Sequence, residues 1–269
     1  MQGRLSPPVE GKIQAFPLET WRDEFPRAAH VGLATIEWIY EERFSDKNPL
    51  SLDSTIQEVV ELVRATGVSI EAVCADYFLD VPYLTSSENT KRELRERLAW
   101  LISRAAQVGA KYIDLPFVDK SAIPGATMFP EVIEFVRPSL IEAERSGITI
   151  TLETSLNAED FRKLLSQFNH PRVMANYDTG NSASLGYDCD EEFEAYGRWI
   201  RTVHIKDRVL GGTTVPLGTG DADFNKVFRN LVKFDYRGTL TLQAAREGDE
   251  VKTVSKNMLF IEKFTGGRN

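Results

Sequence analysis

The feature of this sequence that most restricts its fold is a regular alternation of short apolar runs with longer helix-like segments. Seven runs rich in Val, Ile and Thr are typical of β-strands, at residues 35–38, 68–75, 112–115, 148–153, 173–177, 202–205 and 239–243. Successive runs end roughly 24 to 40 residues apart, the length of one strand–helix unit. Several are apolar on both faces, which indicates parallel strands covered by helices.

The segments between these runs carry apolar residues every three or four positions, as amphipathic helices do. They predict helices at residues 51–66, 87–108, 130–146, 158–168 and 225–234. Gly67, Gly109 and Gly147 each follow such a segment directly, where a residue in the left-handed conformation would end a helix. Strand and helix signals therefore alternate along most of the chain.

The seven runs, with a first strand expected within residues 1–5, give eight strand–helix units, and 269 residues is the size of a TIM barrel. The sequence thus predicts an α/β fold, a single (β/α)8 barrel domain spanning residues 1–269. The first strand is expected to be truncated, because only a few residues precede Pro7. An open doubly wound sheet is the alternative, but no GxGxxG motif follows an early strand, and no nucleotide or flavin cofactor is expected.

The charge balance narrows the classes of partner. The chain has 32 Lys and Arg against 40 Asp and Glu, a net charge of −8, which disfavours binding to a nucleic-acid backbone. We find no apolar run of membrane-spanning length and no signal peptide, so a cytoplasmic protein without membrane contact is expected. Cys74 and Cys189 have no metal-binding spacing and fit a reducing compartment.

Polar side chains at four strand ends mark the expected active site, which in a TIM barrel lies at the C-terminal ends of the strands. These residues are Glu153, Asp178, His204 and Gln243. Two carboxylates and an imidazole that converge there would form a ligand set for one Mn²⁺, Zn²⁺, Co²⁺ or Mg²⁺ ion. Such an ion would polarise a carbonyl or hydroxyl group and stabilise an enediolate.

Each of these residues also has a structural explanation. Glu153 could cap the next helix, and Asp178 could form a turn with the Thr-Gly-Asn that follows it. His204 could be a satisfied core residue, and Gln243 an ordinary polar residue of a strand. None of these explanations accounts for the position that the four residues share.

Six motifs resemble one known superfamily over nearly the whole chain. They are the opening MQGRLSPPVEGKIQAFPLETWRDEF, then IEWIYE, LET, YDTGNSASLGYD, VHIKDR and PLGTGDADF. Together they are similar to the xylose isomerase-like sugar phosphate isomerases and epimerases, with the hexulose-6-phosphate 3-epimerase type as the nearest relatives. The resemblance implies a TIM barrel, a sugar or sugar phosphate substrate, and assembly as a homodimer or homotetramer.

The resemblance also implies roles for the four strand-end residues. Glu153, Asp178, His204 and Gln243 would hold one divalent metal, and Glu153 would be the principal base of an isomerisation or epimerisation through an enediolate. In this group the last position is normally a glutamate, and the two glutamates move protons on opposite faces of the enediolate. Gln243 departs from that pattern, because an amide oxygen can bind a metal but cannot accept a proton.

This departure leaves three interpretations open. Another group could move the second proton, and the candidates by position are Glu37, Asp76, Lys206, Asp207 and Glu247. The chemistry could need only one base, as in an aldose–ketose isomerisation or the dehydration of an inosose or keto acid. The barrel could also bind a carbohydrate without turning it over.

Residues at and after the other strand ends are predicted to contact the substrate: Glu37, Trp38, Asp76, Pro116, Asp207 and Arg246. Lys206 and Arg246 could hold a phosphate or carboxylate or stabilise enediolate charge, with a salt bridge to a neighbouring carboxylate as the alternative for Lys206. The backbone N–H groups of residues 218–220, Gly-Thr-Gly, could bind a phosphate, although a plain turn is the simpler explanation.

Overall fold

The structure is a computed structural model and describes residues 3–266. Its strands are β1 (Thr35–Ile39), β2 (Ser69–Cys74), β3 (Tyr112–Phe117), β4 (Thr149–Thr154), β5 (Val173–Asp178), β6 (Ile200–Ile205), β7 (Asp207–Arg208), β8 (Thr214–Val215) and β9 (Leu240–Leu242). Seven of them form one parallel sheet in the order β1-β2-β3-β4-β5-β6-β9, and β7 and β8 form a small antiparallel hairpin. The seven predicted strands are all present, with ends shifted by up to two residues.

Helices connect consecutive strands of the parallel sheet and cover its outside. They are α1 (Trp21–Val31), α2 (Asp53–Thr66), α3 (Tyr77–Asp80), α4 (Glu88–Gln107), α5 (Phe129–Val136), α6 (Leu140–Ser146), α7 (Ala158–Phe168), α8 (Thr179–Leu185), α9 (Cys189–Tyr196), α10 (Phe224–Lys233) and α11 (Glu250–Thr265). A parallel sheet that nearly closes on itself inside a layer of helices is a TIM barrel, so the predicted fold class is confirmed.

One predicted helix is broken in two. The sequence pattern predicts a continuous helix at 130–146, whereas α5 and α6 are separated by a short 3-10 segment, Arg137–Ser139. Pro138 lies in that segment and explains the break, because proline has no backbone N–H to donate and its ring collides with the carbonyl four residues earlier in an α-helix.

The predicted first strand is wrong in the part of the chain that the structure describes. Residues 3–6 form a turn and bends, and residues 1–2 lie outside the described range. Gly3 has a φ of +79°, which no extended strand adopts, and its N–H donates to the Glu24 carboxylate over 3.0 Å. The sheet therefore stays open between β1 and β9, where a cavity of about 190 Å³ is lined by Leu5, Ile36 and Leu240 among others.

The strand residues alternate between the helix layer and the barrel interior. On β1, the Trp38 ring packs outward against Phe16 and Trp21, while the neighbouring Glu37 belongs to the interior. Several of the buried interior positions are polar: Glu37, Asp114, Thr151, Asn176, Thr202 and His204. No helix within residues 3–266 is both long and apolar enough to cross a membrane.

Candidate active site

The four predicted strand-end residues lie close together around the imidazole of His204. The ring is fully buried, and its Nδ1 is 3.7 Å from Glu153 Oε2 and 3.9 Å from Asp178 Oδ2. Gln243 follows β9 directly and places its Nε2 3.2 Å from the same Nδ1. Asp178 and His204 are paired across β5 and β6, so the sheet register itself brings them together.

Asp178 has both of the roles that the sequence left open: one carboxylate oxygen forms a local turn, and the other faces the site. Its Oδ1 accepts the N–H groups of Gly180 and Asn181 over 2.8 and 2.9 Å and so caps α8. Its Oδ2 faces the site and lies 3.0 Å from Lys206 Nζ. Gly180 is required here, because a Cβ at this position would collide with the Lys206 side chain.

On the other side of the imidazole lie two further buried carboxyl groups. Glu37 Oε1 is 2.8 Å from His204 Nε2, and Asp114 Oδ2 is 3.5 Å from it. Asp114 also accepts hydrogen bonds from the hydroxyl groups of Thr151 and Thr202. Glu37 is 3% exposed and lies on the far side of His204 from Glu153, so its predicted contact with substrate is not supported.

Two asparagines that the sequence analysis missed complete the site. Asn176 Nδ2 is 3.1 Å from His204 Nδ1 and 3.4 Å from Glu153 Oε2. Asn181 Nδ2 donates to Glu153 Oε1 over 2.5 Å and thereby orients this carboxylate. The signal for Asn176 was available, since it precedes Asp178 by two residues on the same strand and period-two spacing puts both on the inner face.

The site concentrates acidic groups with too few cations to balance them. Four carboxyl groups surround two basic groups: Glu37, Asp114, Glu153 and Asp178 against His204 and Lys206. A fully ionised cluster would therefore carry two uncompensated negative charges in a buried place, which is costly. Two bound protons would remove this imbalance, and one divalent cation would reduce it to a single negative charge, because the imidazole that binds the ion gives up a proton.

The pKa values of the acidic groups follow from this imbalance. Burial, and next the charge of Asp178, raises the pKa of Glu153 to about 7. Burial raises the pKa of Glu37 to about 7 despite the opposing effect of His204. Burial alone would lower the pKa of His204, but the negative charge of Glu37 and a hydrogen bond to Asp114 hold it well above its usual value. Without a metal, the cluster thus binds protons at neutral pH.

The donor set fits a divalent metal ion. Glu153, Asp178 and His204 each offer one ligand atom, and these atoms lie within 4.8 Å of one another. Carboxylate and imidazole donors suit Mn²⁺, Zn²⁺, Co²⁺ or Mg²⁺. Donor atoms of Glu37, Asp114 and His204 also lie within 4.8 Å of one another, on the Nε2 side of the imidazole. Only the first group is next to the open end of the barrel, because Glu153 lines the cavity there.

A cavity of about 580 Å³, here called the mouth cavity, opens above the site at the C-terminal ends of the strands. Its lining includes Glu153, Gln243, Lys206, Asp76, Pro116 and Arg4. The volume is in the range of small-molecule sites. Asp76 and Pro116 therefore lie where the sequence predicts substrate contacts. The Asp76 carboxylate is held by Gln14 Nε2 over 2.6 Å.

Trp38 does not contact this cavity, so its predicted role as a sugar contact is wrong. The ring is completely buried on the helix side of β1, and its Nε1 donates to Asn48 Oδ1 over 3.0 Å. The alternation of a strand explains the error, since Glu37 and Trp38 are consecutive and cannot both face the interior.

Asp207 and the Gly-Thr-Gly segment have a structural role in place of the predicted ligand contacts. Asp207 is fully buried, and its carboxylate accepts the N–H groups of Gly218, Gly220 and Ala222 over 2.8, 2.9 and 3.1 Å. The two glycine N–H groups that could have bound a phosphate are thus directed at this carboxylate. A Cβ on Gly220 would collide with Asp207, which explains the glycine there.

Replacing Asp207 with asparagine should destabilise the protein by about 2–4 kcal/mol, because three backbone donors would lose an ionised acceptor in a buried place. The measurement is urea unfolding followed by circular dichroism. The control is Asp221→Asn, which removes a carboxylate that accepts one backbone N–H in the same loop, from Leu210. A variant that kept full stability but lost ligand affinity would restore Asp207 as a substrate contact.

Arg246 and Glu247 also lie outside the site. The Arg246 guanidinium donates to the carbonyl groups of Gly3, Ser6 and Ile13, and it pairs with Glu250 over 3.0 Å. It thus ties the N-terminal segment to the loop after β9 and is not available to a substrate. Glu247 pairs with Lys256 over 2.8 Å on the surface, which removes it from the candidates for a second base.

Comparisons with known proteins agree with this architecture. A family model described as a xylose isomerase-like TIM barrel matches residues 25–264. The L-ribulose-5-phosphate 3-epimerase UlaE of Escherichia coli O1:K1 is 26% identical over 247 residues, covering 86% of this chain and 84% of that protein. The IolI protein with a bound zinc atom has a TM-score of 0.75 at 17% identity, covering 90% of this chain and 93% of that one. D-allulose 3-epimerase from Methylomonas sp., in complex with D-allulose, has a TM-score of 0.73 at 17% identity, covering 93% and 92%.

Proposed function

Since the chain belongs to the xylose isomerase-like TIM barrel family, we propose that it is a metal-dependent isomerase or epimerase of a sugar or sugar phosphate. The names of its relatives support this class, because one is a ketose phosphate epimerase and one is an epimerase in complex with its sugar. The observation that carries the proposal is the convergence of Glu153, Asp178 and His204 donor atoms at the open end of a barrel.

In this proposal, Glu153, Asp178 and His204 would hold the metal, with Gln243 as a weaker fourth donor through its amide oxygen. When bound, a divalent ion supplies Lewis-acid polarisation of the substrate oxygens and stabilises the charge of an enediolate. Glu153, ionised once the metal is bound, takes the proton from the carbon next to the carbonyl group. The hydrogen bond from Asn181 would fix the orientation of the Glu153 carboxylate during this step.

The second proton transfer of an epimerisation needs a group other than Gln243. Of the five candidates, Asp207, Glu247 and Glu37 are engaged away from the mouth cavity, as described above. Asp76 and Lys206 line the cavity and remain. Lys206 Nζ is 3.0 Å from Asp178 and can also stabilise negative charge on a substrate oxygen. A one-base aldose–ketose isomerisation needs only Glu153.

Metal titration tests this proposal directly. The metal-free protein should bind one Mn²⁺, Zn²⁺ or Co²⁺ per chain, and His204→Gln should weaken that binding by at least about a hundredfold, because it removes a ligand. Isothermal titration calorimetry measures both, and His170→Gln is the matched control at a histidine paired with Glu144 outside the site. A panel of free and phosphorylated ketoses then tests turnover. Failure of the wild-type protein to bind any of these ions would end the proposal.

A further inference from the structure

Arg4 is a buried cation at the mouth cavity whose charge no ion pair balances. It is 6% exposed. Among residues 3–266, no carboxylate oxygen lies within 4.0 Å of its guanidinium nitrogens, the limit for an ion pair. Buried arginines are normally paired or bind a ligand, because an isolated charge away from water is costly. Arg4 lines the same cavity as Glu153 and Gln243.

The guanidinium of Arg4 also has hydrogen-bonding capacity to spare. Its Nη1 donates to the Ile13 carbonyl over 2.5 Å, and its Nε is buried without an acceptor in the described part of the chain. A buried donor without a partner costs free energy that an incoming acceptor recovers. Burial, and next the nearby charge of Arg246, lowers the pKa of Arg4 to about 10 against the opposing charges of Glu250, Asp76 and Glu37, so the group stays cationic at neutral pH.

The other cations of the mouth cavity are engaged or exposed. Lys206 pairs with Asp178 over 3.0 Å. Arg208 donates to the Gly212 carbonyl over 2.7 and 3.1 Å and to Asn181 Oδ1 over 3.0 Å. Lys12 is exposed, so water already solvates its ammonium group. Arg4 is therefore the cation of this cavity, within the described residues, that combines burial with a free hydrogen-bond donor and no ion pair.

We propose that Arg4 binds an oxyanion of the substrate, a phosphate or a carboxylate, at the mouth of the barrel. This inference rests on the proposed function and deepens it, because it assigns an anionic carbohydrate to the site. The fork of a guanidinium matches both phosphate and carboxylate oxygens. A ligand whose anionic end contacts Arg4 would extend through one continuous cavity toward Glu153, which positions its reacting carbon.

Anion binding is tested first without any turnover. Inorganic phosphate and acetate are titrated into the metal-free protein by calorimetry, with wild type, Arg4→Gln and Lys12→Gln compared. We expect one site for at least one of the two anions, weakened about tenfold or more in Arg4→Gln and little changed in Lys12→Gln, because a charge-assisted hydrogen bond is lost only in the first. The anion that binds identifies phosphate or carboxylate as the recognised group. Equal affinities of wild type and Arg4→Gln for both anions would overturn the proposal.

Arg4→Lys keeps the test valid if the glutamine variant does not fold. Lysine retains the positive charge but lacks the planar set of N–H donors of a guanidinium, so the anion affinity of this variant should lie between those of wild type and Arg4→Gln. With metal and ketose substrates, Arg4→Gln should also lower kcat/KM about tenfold more for an anionic ketose than for its neutral counterpart. Equal losses for the two would count against Arg4. Anion binding at Arg4 in a protein that turns over no sugar would instead refute the isomerase and leave the anion site standing.

Discussion

Replacing Glu153 with glutamine is expected to lower kcat by at least about a thousandfold on any ketose that the wild-type protein turns over. Glutamine has nearly the same shape and can still accept the hydrogen bond from Asn181, but it cannot take a proton. The assay follows the exchange of the substrate C–H hydrogen with D₂O by NMR, which reports proton removal even where no net product forms. It is run at saturating metal, because Glu153 is also a proposed ligand.

The control for this experiment is Glu192→Gln, the same change at a buried carboxyl group outside the site. Glu192 accepts hydrogen bonds from Tyr177 and Tyr196 on the helix side of β5. Its replacement should lower stability while kcat changes only a few-fold. A Glu153→Gln variant with a tenth of the wild-type activity or more would show that another group removes the proton. If the wild type exchanges no substrate hydrogen and Gln243→Glu does, the native barrel binds carbohydrate without turnover.

The sequence predicts the position of the site better than its periphery, for a physical reason. Strand ends can be located from local patterns, and closure of a parallel sheet brings them together whatever the loops do. The pattern therefore identifies Glu153, Asp178 and His204 without any knowledge of the loops. The same alternation, applied strictly to 35–39, would have placed Glu37 inside and Trp38 outside.

Two other residues with wrongly predicted roles, Asp207 and Arg246, lie in segments whose conformation depends on distant parts of the chain. Asp207 became a structural residue because a loop folds back so that three N–H groups surround it. Arg246 is held by carbonyl groups more than 230 residues earlier in the chain. Neither contact leaves a pattern in the neighbouring sequence. The sequence therefore predicts where along the chain these residues lie relative to the strands, but not which groups their side chains contact. The burial and unpaired charge of Arg4 became visible for the same reason only in the structure.

The pH dependence of metal binding is the second large effect that the site predicts. In the metal-free protein, the pKa of Glu153 is about 7, because burial and the charge of Asp178 favour its protonated form. A metal must displace that proton below pH 7, so affinity should approach a fall of about tenfold per pH unit, or about fiftyfold in all from pH 7 to pH 5, from this residue alone. His204, whose pKa is also raised, holds a second proton that the metal displaces and steepens the dependence. Above pH 7, Glu153 is ionised before the metal binds and no longer makes the metal affinity depend on pH.

The stability of the two forms should respond to pH in opposite directions. A carboxyl group whose pKa rises on folding stabilises the native state below its unfolded value of 4.5, and this contribution is lost as the pH rises to about 7. The metal-free protein should thus lose stability between pH 5 and pH 7, while the metal-loaded protein gains it as affinity increases.

Calorimetry in buffers of different ionisation enthalpy counts the released protons, and urea unfolding gives the stabilities. Glu153→Gln should remove one proton from that count below pH 7. An unchanged count would mean that Glu153 holds no proton for the metal to displace, and that its carboxylate is already ionised beside Asp178.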